Sequence, residues 1–347
     1  MTDATRAYNR REVIGAAGVL STVGFAGCIG GSSGSGGTEY PSRDLEVVVG
    51  YGAGGGTDTL HRGIARPAES ILQERGNDVS INVSNITGAR SLNSANYVLE
   101  QPADGYTIWA NTMGIAANIA NGNASFTIDD WQPLMQIQHD TSWMFTSGRE
   151  GNGVDDIDEL ISIMDSNSSQ ATIGVVGQPS SATFVLQWTN ALDLLDGYRL
   201  VSYDDAGRMR TDTMSGELDA SFGEIQELTE QYESGDVELI LVGVEESIDE
   251  FPNVPTVADI GAPDATYGVS RGVALKSGVE QERVDYLHEL YQEAMESEEY
   301  QQLEEETMVH LREGYLPPEE YRQQIQRNIE VIEQSIEWAN QVQAESS

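Results

Sequence analysis

The chain has 347 residues, 39% of them hydrophobic, with 18 Lys+Arg against 57 Asp+Glu and a formal net charge of -39; the length suits about two domains. That charge repels phosphate backbones and anionic headgroups, and no Lys/Arg cluster offsets it, so nucleic-acid binding is excluded as a class. Apolar runs recur along most of the chain, which rules out wholesale disorder. Lys276 is the single lysine, and the acids are dispersed rather than gathered in a tail. In molar salt the Debye length falls to about 3 Å, so dispersed carboxylates hardly repel one another. The composition suggests a protein adapted to high salt, with an ordinary acidic protein as the alternative.

In chain order, Arg10-Arg11 precede the apolar, small-residue stretch Val13 to Ala26, which ends at Phe25-Ala26-Gly27-Cys28. The stretch is too short for a membrane span, which needs about 20 residues, and reads as a cleaved export signal over residues 1–27. The paired arginines point to the twin-arginine route for folded cargo. Cys28 is the only cysteine, so an intramolecular disulfide is impossible. It stands where a lipoprotein signal places the residue to be lipidated. Residues 28–37, rich in Gly and Ser, read as a flexible tether.

From Asp44 strand and helix patterns alternate. Leu45 to Gly50 is a β-branched run, Thr57 to Arg75 has helical spacing through Leu60, Ile64, Ala68, Ile71 and Leu72, and Val79 to Val83 is strand-like again. Ser91 to Gln101 reads as a helix and Tyr106 to Ala110 as a strand after the Asp104-Gly105 turn. A second series follows Trp131 to Gln138: helix over Val154 to Met164, strand over Ala171 to Val176, helix over Ala182 to Leu195, strands over Tyr198 to Ser202 and Val237 to Val244. From Glu280 onward the pattern is helical, with Val284, Leu287, Leu290, Tyr291 and Ala294 on one face. Such alternation implies two α/β lobes with mostly parallel sheets. The sequence displays no internal repeat.

The most informative stretch is Gly50-Tyr51-Gly52-Ala53-Gly54-Gly55-Gly56-Thr57-Asp58, between a strand and a helix. Glycines allow close backbone approach, and the helix start offers unpaired N–H groups and a positive dipole end, which together suit an anion. Gly50, Gly52 and Gly55 also match a dinucleotide fingerprint, but the acid that motif requires after the second strand is replaced by Asn85. Gly174 to Thr183 joins strand to helix in the second lobe with Ser180, Ser181 and Thr183 at the start, suited to capping or to anion binding. Two such loops on two lobes suggest a cleft between them.

Leu45 to Asp58, Asn85-Ile86-Thr87-Gly88-Ala89 and Asp104-Gly105-Tyr106-Thr107 together resemble the solute receptor of tripartite tricarboxylate transporters. Val201-Ser202-Tyr203, Gly216-Glu217-Leu218-Asp219, Val254-Pro255-Thr256 with Asp259 and Gly261, and Arg271-Gly272-Val273-Ala274 continue the match in the same order, from about Tyr40 to the C-terminus. The resemblance implies a type II periplasmic-binding fold, with a ligand carboxylate held by backbone amides of the two glycine- and serine-bearing loops. Carried over, these are Gly54, Gly55, Gly56, Thr57 and Asp58 in one lobe and Gln178, Ser180, Ser181, Ala182 and Thr183 in the other. Asp58 suits capping or orienting water better than touching an anion. Two departures stand out: Arg90-Ser91 where further glycines are common, and Asp204-Asp205 where a Lys-Gly pair is common. Arg90 suits a second ligand carboxylate or a surface ion pair; the aspartates disfavour a highly charged ligand unless they point outward. Tyr51, Trp143 and Tyr203 form either an apolar wall or part of the core.

The expected architecture is therefore α/β: lobe 1 over residues 38–139 plus 242–347, lobe 2 over 140–241, joined by two crossing strands, with a hinge that closes on ligand. His61, His139, His288 and His310 are scattered, no metal-ligand spacing occurs, and Ser180 and Ser181 lack a hydrolase elbow. No catalytic residue, metal or cofactor is expected. The leading expectation is a monomeric, lipid-anchored extracytoplasmic receptor that captures a small organic carboxylate and hands it to a membrane permease. A sensor of the same fold and a secreted hydrolase remain the alternatives.

Overall fold

The computed structural model describes residues 40–166, 170–177 and 182–345. Cys28, the twin arginines and the tether lie outside the described residues, as do Gln178, Ser180 and Ser181.

Among the described residues, ten strands form two sheets. The first takes β1 (Leu45–Val49), β2 (Ile81–Asn85), β3 (Thr107–Thr112), β4 (Trp131–His139) and β10 (Ser270–Lys276) in the order β2-β1-β3-β10-β4. The second takes β5 (Ser142–Ser147), β6 (Ala171–Val176), β7 (Tyr198–Tyr203), β8 (Ala220–Glu224) and β9 (Val237–Val242) in the order β7-β6-β8-β5-β9. In each sheet three strands run parallel and the fourth, β10 or β5, is antiparallel to both of its neighbours. The lobes thus share one plan that no sequence repeat betrays, because a sheet order constrains only which positions are apolar.

Period two divides the first sheet between two cores. Val47, Val49, Ile108, Ala110, Val273 and Leu275 face one side, and Val48, Trp109 and Ala274 the other. The first side is covered by α1 (Gly56–Glu74), through Leu60, Ile64, Ala68, Ile71 and Leu72, and by α8 (Gln281–Met295), through Val284, Leu287, Leu290, Tyr291 and Ala294. The other side carries α2 (Leu92–Glu100), α3 (Gly114–Ala120) and a Trp109–Trp131 stack with ring centroids 4.4 Å apart. The second sheet is covered by α4 (Ile157–Asp165) and α5 (Thr183–Ala191) on the Ile173/Val175 side, and by α6 (Ala206–Met214) and α7 (Ile225–Glu233) on the Trp143/Phe145 side.

The crossings lie side by side. β4 runs through Asp140-Thr141 into β5, Asp140 N–H donates to Val269 O at 2.9 Å, and Gly243 N–H to Ser142 O at 2.8 Å. After β9 the chain does not return at once to the first lobe. Ile248 and Phe251 pack with the Trp143 core, and Val257, Ala262 and Ala265 with the Ile173 core, before β10 begins at Ser270. The last helix, α10 (Pro318–Glu345), has 28 residues, roughly 42 Å at 1.5 Å per residue. That reach lets Tyr321, Ile325 and Ile332 join the first lobe while Ala339 and Val342 join the second. The stretch 242–347, expected wholly in lobe 1, therefore packs on both lobes. Helix α9 (Glu298–Glu306) follows α8 in the chain and sets Leu303 against Gly63 of α1.

Candidate functional site

In open α/β sheets ligands bind beyond the carboxyl ends of the parallel strands. In the first lobe that edge carries the β1–α1 loop, residues 50–55. Gly54 takes φ +83°, a left-handed value that glycine adopts at no steric cost. Asp58 Oδ2 accepts from Gly54 N–H at 2.9 Å, Arg62 Nε donates to both Asp58 oxygens at 3.0 Å, and Asn85 Nδ2 donates to Asp58 Oδ1 at 2.8 Å. Asn85 Nδ2 also donates to Tyr51 O at 2.9 Å, and the Thr57 and Thr112 hydroxyls meet at 2.7 Å. Burial opposes ionisation of Asp58, but Arg62, the Gly54 N–H and Asn85 outweigh it and hold the carboxyl below the usual carboxylate range. Asp58 thus shapes the loop from behind, and the Gly54 N–H is used inside the loop. The N–H groups of Gly56, Thr57 and Asp58 have no intrahelical acceptor, as at any helix start, and carry the positive end of the dipole.

Beside this loop, Ala89, Arg90 and Ser91 take φ of 45°, 53° and 66° in succession. Left-handed backbone costs non-glycine residues roughly 1–2 kcal/mol each, and strain of this kind gathers at functional sites. The turn is pinned by Asn118 Nδ2 donating to Arg90 O at 3.1 Å and Ser94 Oγ to Ser91 O at 2.7 Å. Ser91 is buried while Arg90 is exposed, and Tyr51 lies within electrostatic reach of Arg90, Arg271 and Glu224.

The lobes meet at Gly56. A Cβ there would stand 2.8 Å from the amide of Gln226, the second residue of α7 in the other lobe. Gln226 Nε2 donates to Asp140 Oδ2 at 2.7 Å and to Glu224 Oε2 at 3.2 Å. Arg271 of β10 completes the group: Nη1 donates to Asp140 Oδ2 at 3.2 Å, and Nη2 pairs with Glu224. Side-chain exposure is 4% for Arg271, 0% for Asp140 and 18% for Glu224. One guanidinium thus answers two carboxylates. Burial first, and Glu224 second, push the Asp140 carboxyl up to about 7 despite the arginine. His61 of α1 is buried with neither ring nitrogen partnered; desolvation, aided by Arg271, lowers its pKa to about 3, so it is neutral.

The remaining sequence-selected residues fall as follows. Ala182 and Thr183 open α5 and are buried, with Thr183 bonded to the Tyr267 hydroxyl. Tyr203 is half-buried and its hydroxyl donates to Asp212 Oδ2 at 2.8 Å. Trp143 is core: it is fully buried, donates to Thr141 and packs edge-on against Phe251 at 4.9 Å. Tyr51 keeps 36% exposure. Asp204 and Asp205 are exposed, and Asp205 caps α6 by accepting from Arg208 N–H at 2.9 Å. A cavity of about 480 Å³ lined by Asn96, Leu99, Glu100, Phe126, Asp130 and Lys276 opens at the opposite end of the first sheet, where β10 finishes.

The profile described as "Tripartite tricarboxylate transporter family receptor" matches residues 64–337, most of the chain. The chain belongs to the receptor family of tripartite tricarboxylate transporters. Among curated relatives, protein BugT of Bordetella pertussis is 21% identical over 264 residues, covering 74% of this chain and 78% of that one. An Agrobacterium vitis protein of the UPF0065 group is 28% identical over 229 residues, covering 65% of this chain; the match spans 63% of that relative's length. Among solved structures, an R. palustris protein with adipate has a TM-score of 0.70 at 20% identity, covering 87% of this chain and 99% of its own. MatC from Rhodopseudomonas palustris with bound malate has a TM-score of 0.68 at 20% identity, covering 86% and 100%. The fold is the two-lobed periplasmic-binding one, and the protein is a solute-binding receptor, an extracytoplasmic class.

Much of what marks the family in this receptor's sequence is structural. Asp219 accepts from Thr172 N–H and Oγ1, both at 2.7 Å, tying the start of β8 to β6. Asp259 accepts from Thr256 N–H at 2.9 Å in the turn after β9. Sequence reasoning passed over Asp140, Glu224 and Gln226, and saw Arg271 only as part of a family motif. Their partners are 47 to 131 residues away, or belong to another element, so no local pattern signals them.

Proposed function

We propose that this receptor captures a small organic carboxylate between its lobes and delivers it to a tripartite-type membrane permease, working outside the cytoplasm while anchored by a lipid on Cys28. Export by the twin-arginine route and a high-salt habitat complete the reading. The observation that carries it is the β1–α1 loop, where open amides of Gly56 and Thr57 are held in shape by Asp58, Arg62 and Asn85 and faced by Gln226 of the other lobe. The malate and adipate bound to the two R. palustris proteins are both carboxylates. The reaction class is capture and release, and the residues involved bind rather than react.

The test is a thermal-shift screen of mono-, di- and tricarboxylates in molar KCl, where a ligand at 100 times its Kd stabilises by about 2.7 kcal/mol. Gly55→Asp is the control. Gly55 has φ -76° and ψ 165°, with only Gly52 O at 3.5 Å from its Cβ position, so a side chain fits there without strain. Aspartate is also a favoured N-cap, so the helix survives. The new carboxylate takes the place of the ligand's, and the shift disappears. Undiminished affinity in that variant removes the loop from the site.

A further inference from the structure

The cleft between Gly56 and β10 has an excess of acceptors. Among the described residues its enclosed guanidinium is that of Arg271, with Nη1 and Nη2 already engaged by Asp140 and Glu224. Gln226 turns its Nε2 to the same two carboxylates and stands between them and Gly56. The group therefore sets two carboxylates against one guanidinium next to the loop that would hold a ligand carboxylate. Around it, Glu227 is answered by Arg210 at 3.7 Å, His61 is neutral, and Arg312, with its Nη1 on Thr266 O, stands beside His139 within electrostatic reach of Asp140. Arg90 is exposed at the rim, where molar salt screens a charge beyond about 3 Å. Of the two carboxylates, Glu224, with 18% exposure, is the one that still meets solvent.

We infer that Glu224, supported by Asp140 and Gln226, is the specificity-determining acceptor for the far end of the ligand, which carries an ammonium or amide N–H rather than a second carboxylate. This rests on the carboxylate reading above. A ligand with its carboxylate on the Gly56–Thr57 amides directs its other end toward Gln226 and Glu224. A donor there supplies the cation or N–H that two carboxylates sharing one arginine lack. A second carboxylate sets a like charge against Glu224, and like charge in a desolvated site is one device for rejecting a wrong partner.

The experiment is calorimetric titration of the full chain in molar KCl with four five-carbon probes: pentanoate, glutarate, glutaramate and 5-aminovalerate. The expected result is that glutaramate or 5-aminovalerate binds at least tenfold more tightly than glutarate, and that Glu224→Gln narrows that ratio at least fivefold. Asp140→Asn serves as the second variant if Glu224→Gln fails to fold. Glutarate binding as tightly as the two donor-bearing probes overturns the inference and leaves the carboxylate reading standing, as does a ratio indifferent to Glu224→Gln. If all four probes fail to bind, or bind equally well to Gly55→Asp, the carboxylate reading falls and the inference falls with it.

Discussion

Replacing Arg271 by methionine removes the cation that joins β10 to the second lobe while preserving most of the side-chain volume. Asp140 is then wholly enclosed with only Gln226 and its own chain neighbour Thr141 as donors, and Glu224 keeps 18% exposure without a counter-ion. Breaking a buried pair by removing one partner costs about 3–5 kcal/mol. Wild-type Asp140 already titrates at about 7, so below that pH both proteins carry its proton and its share cancels in the comparison. The expected loss at pH 7 therefore lies at the lower end, about 3 kcal/mol. The sign with pH is fixed: above pH 7 the variant retains the Asp140 proton that the wild type releases, so the loss grows by up to about 1.4 kcal/mol for each unit of alkalinisation and levels off below pH 7. Urea unfolding at pH 7 and pH 9 in molar KCl measures both values. Adding Asp140→Asn should restore at least half of the loss, since both members of the broken pair are then gone. A loss under 1 kcal/mol at pH 7, or one independent of pH, refutes the view of Arg271 as the counter-ion that these acids require.

Three further outcomes are expected. Asp58→Ala strips the Gly54 N–H, Arg62 and Asn85 of their shared acceptor, which costs about 2–3 kcal/mol and weakens carboxylate binding; unchanged stability in denaturant would show the loop to be held by other means. His61, buried and lowered from 6.5 to about 3, stays neutral in the fold. Below pH 6.5 the unfolded chain takes up a proton that the folded one refuses, so stability falls by up to about 1.4 kcal/mol per unit as pH drops. Asp140, raised to about 7, acts with the opposite sign between pH 3.8 and 7, so the contribution is read as wild type minus His61→Leu across pH 4–7, and a flat difference contradicts it. Gly272→Ala drives a Cβ into the carbonyl oxygen of Met135 and within 2.9 Å of Tyr321, for a loss of about 1–3 kcal/mol. Gly52→Ala, with nothing within 4 Å, stays within about 0.5 kcal/mol of wild type, and equal melting temperatures for the two variants would contradict the packing around β10.

The sequence carried the helices and parallel strands well where one face is apolar and the period is regular. The helix expected over Thr57 to Arg75 is α1 at Gly56–Glu74, and Ala171 to Val176 is β6 to the residue. The strand expected at Val79 to Val83 begins two residues late, at Ile81, because Asp44 and Glu69 accept the N–H groups of Ser80 and Ile81 where the chain enters the sheet. Helix α3 was illegible: it has 7 residues and starts from a left-handed Met113, so it offers neither length nor a polar cap. Strand β5 reads as Ser-Trp-Met-Phe-Thr-Ser, enclosed on both faces, and so lacks the alternation that marks a half-buried strand.

By itself the sequence determined the lobe count, the place of the glycine loop between strand and helix, and the family, because each depends on residues close together in the chain or on their order along it. Only the tertiary structure decided that Asp58 is bonded by Gly54, Arg62 and Asn85 together, and that α10 belongs to both lobes. It also decided that one buried arginine stands between two acids where the lobes meet. Those outcomes depend on charges and glycines brought together from β4, β8, α7 and β10, and the balance among them is set by burial and distance, which sequence spacing does not encode.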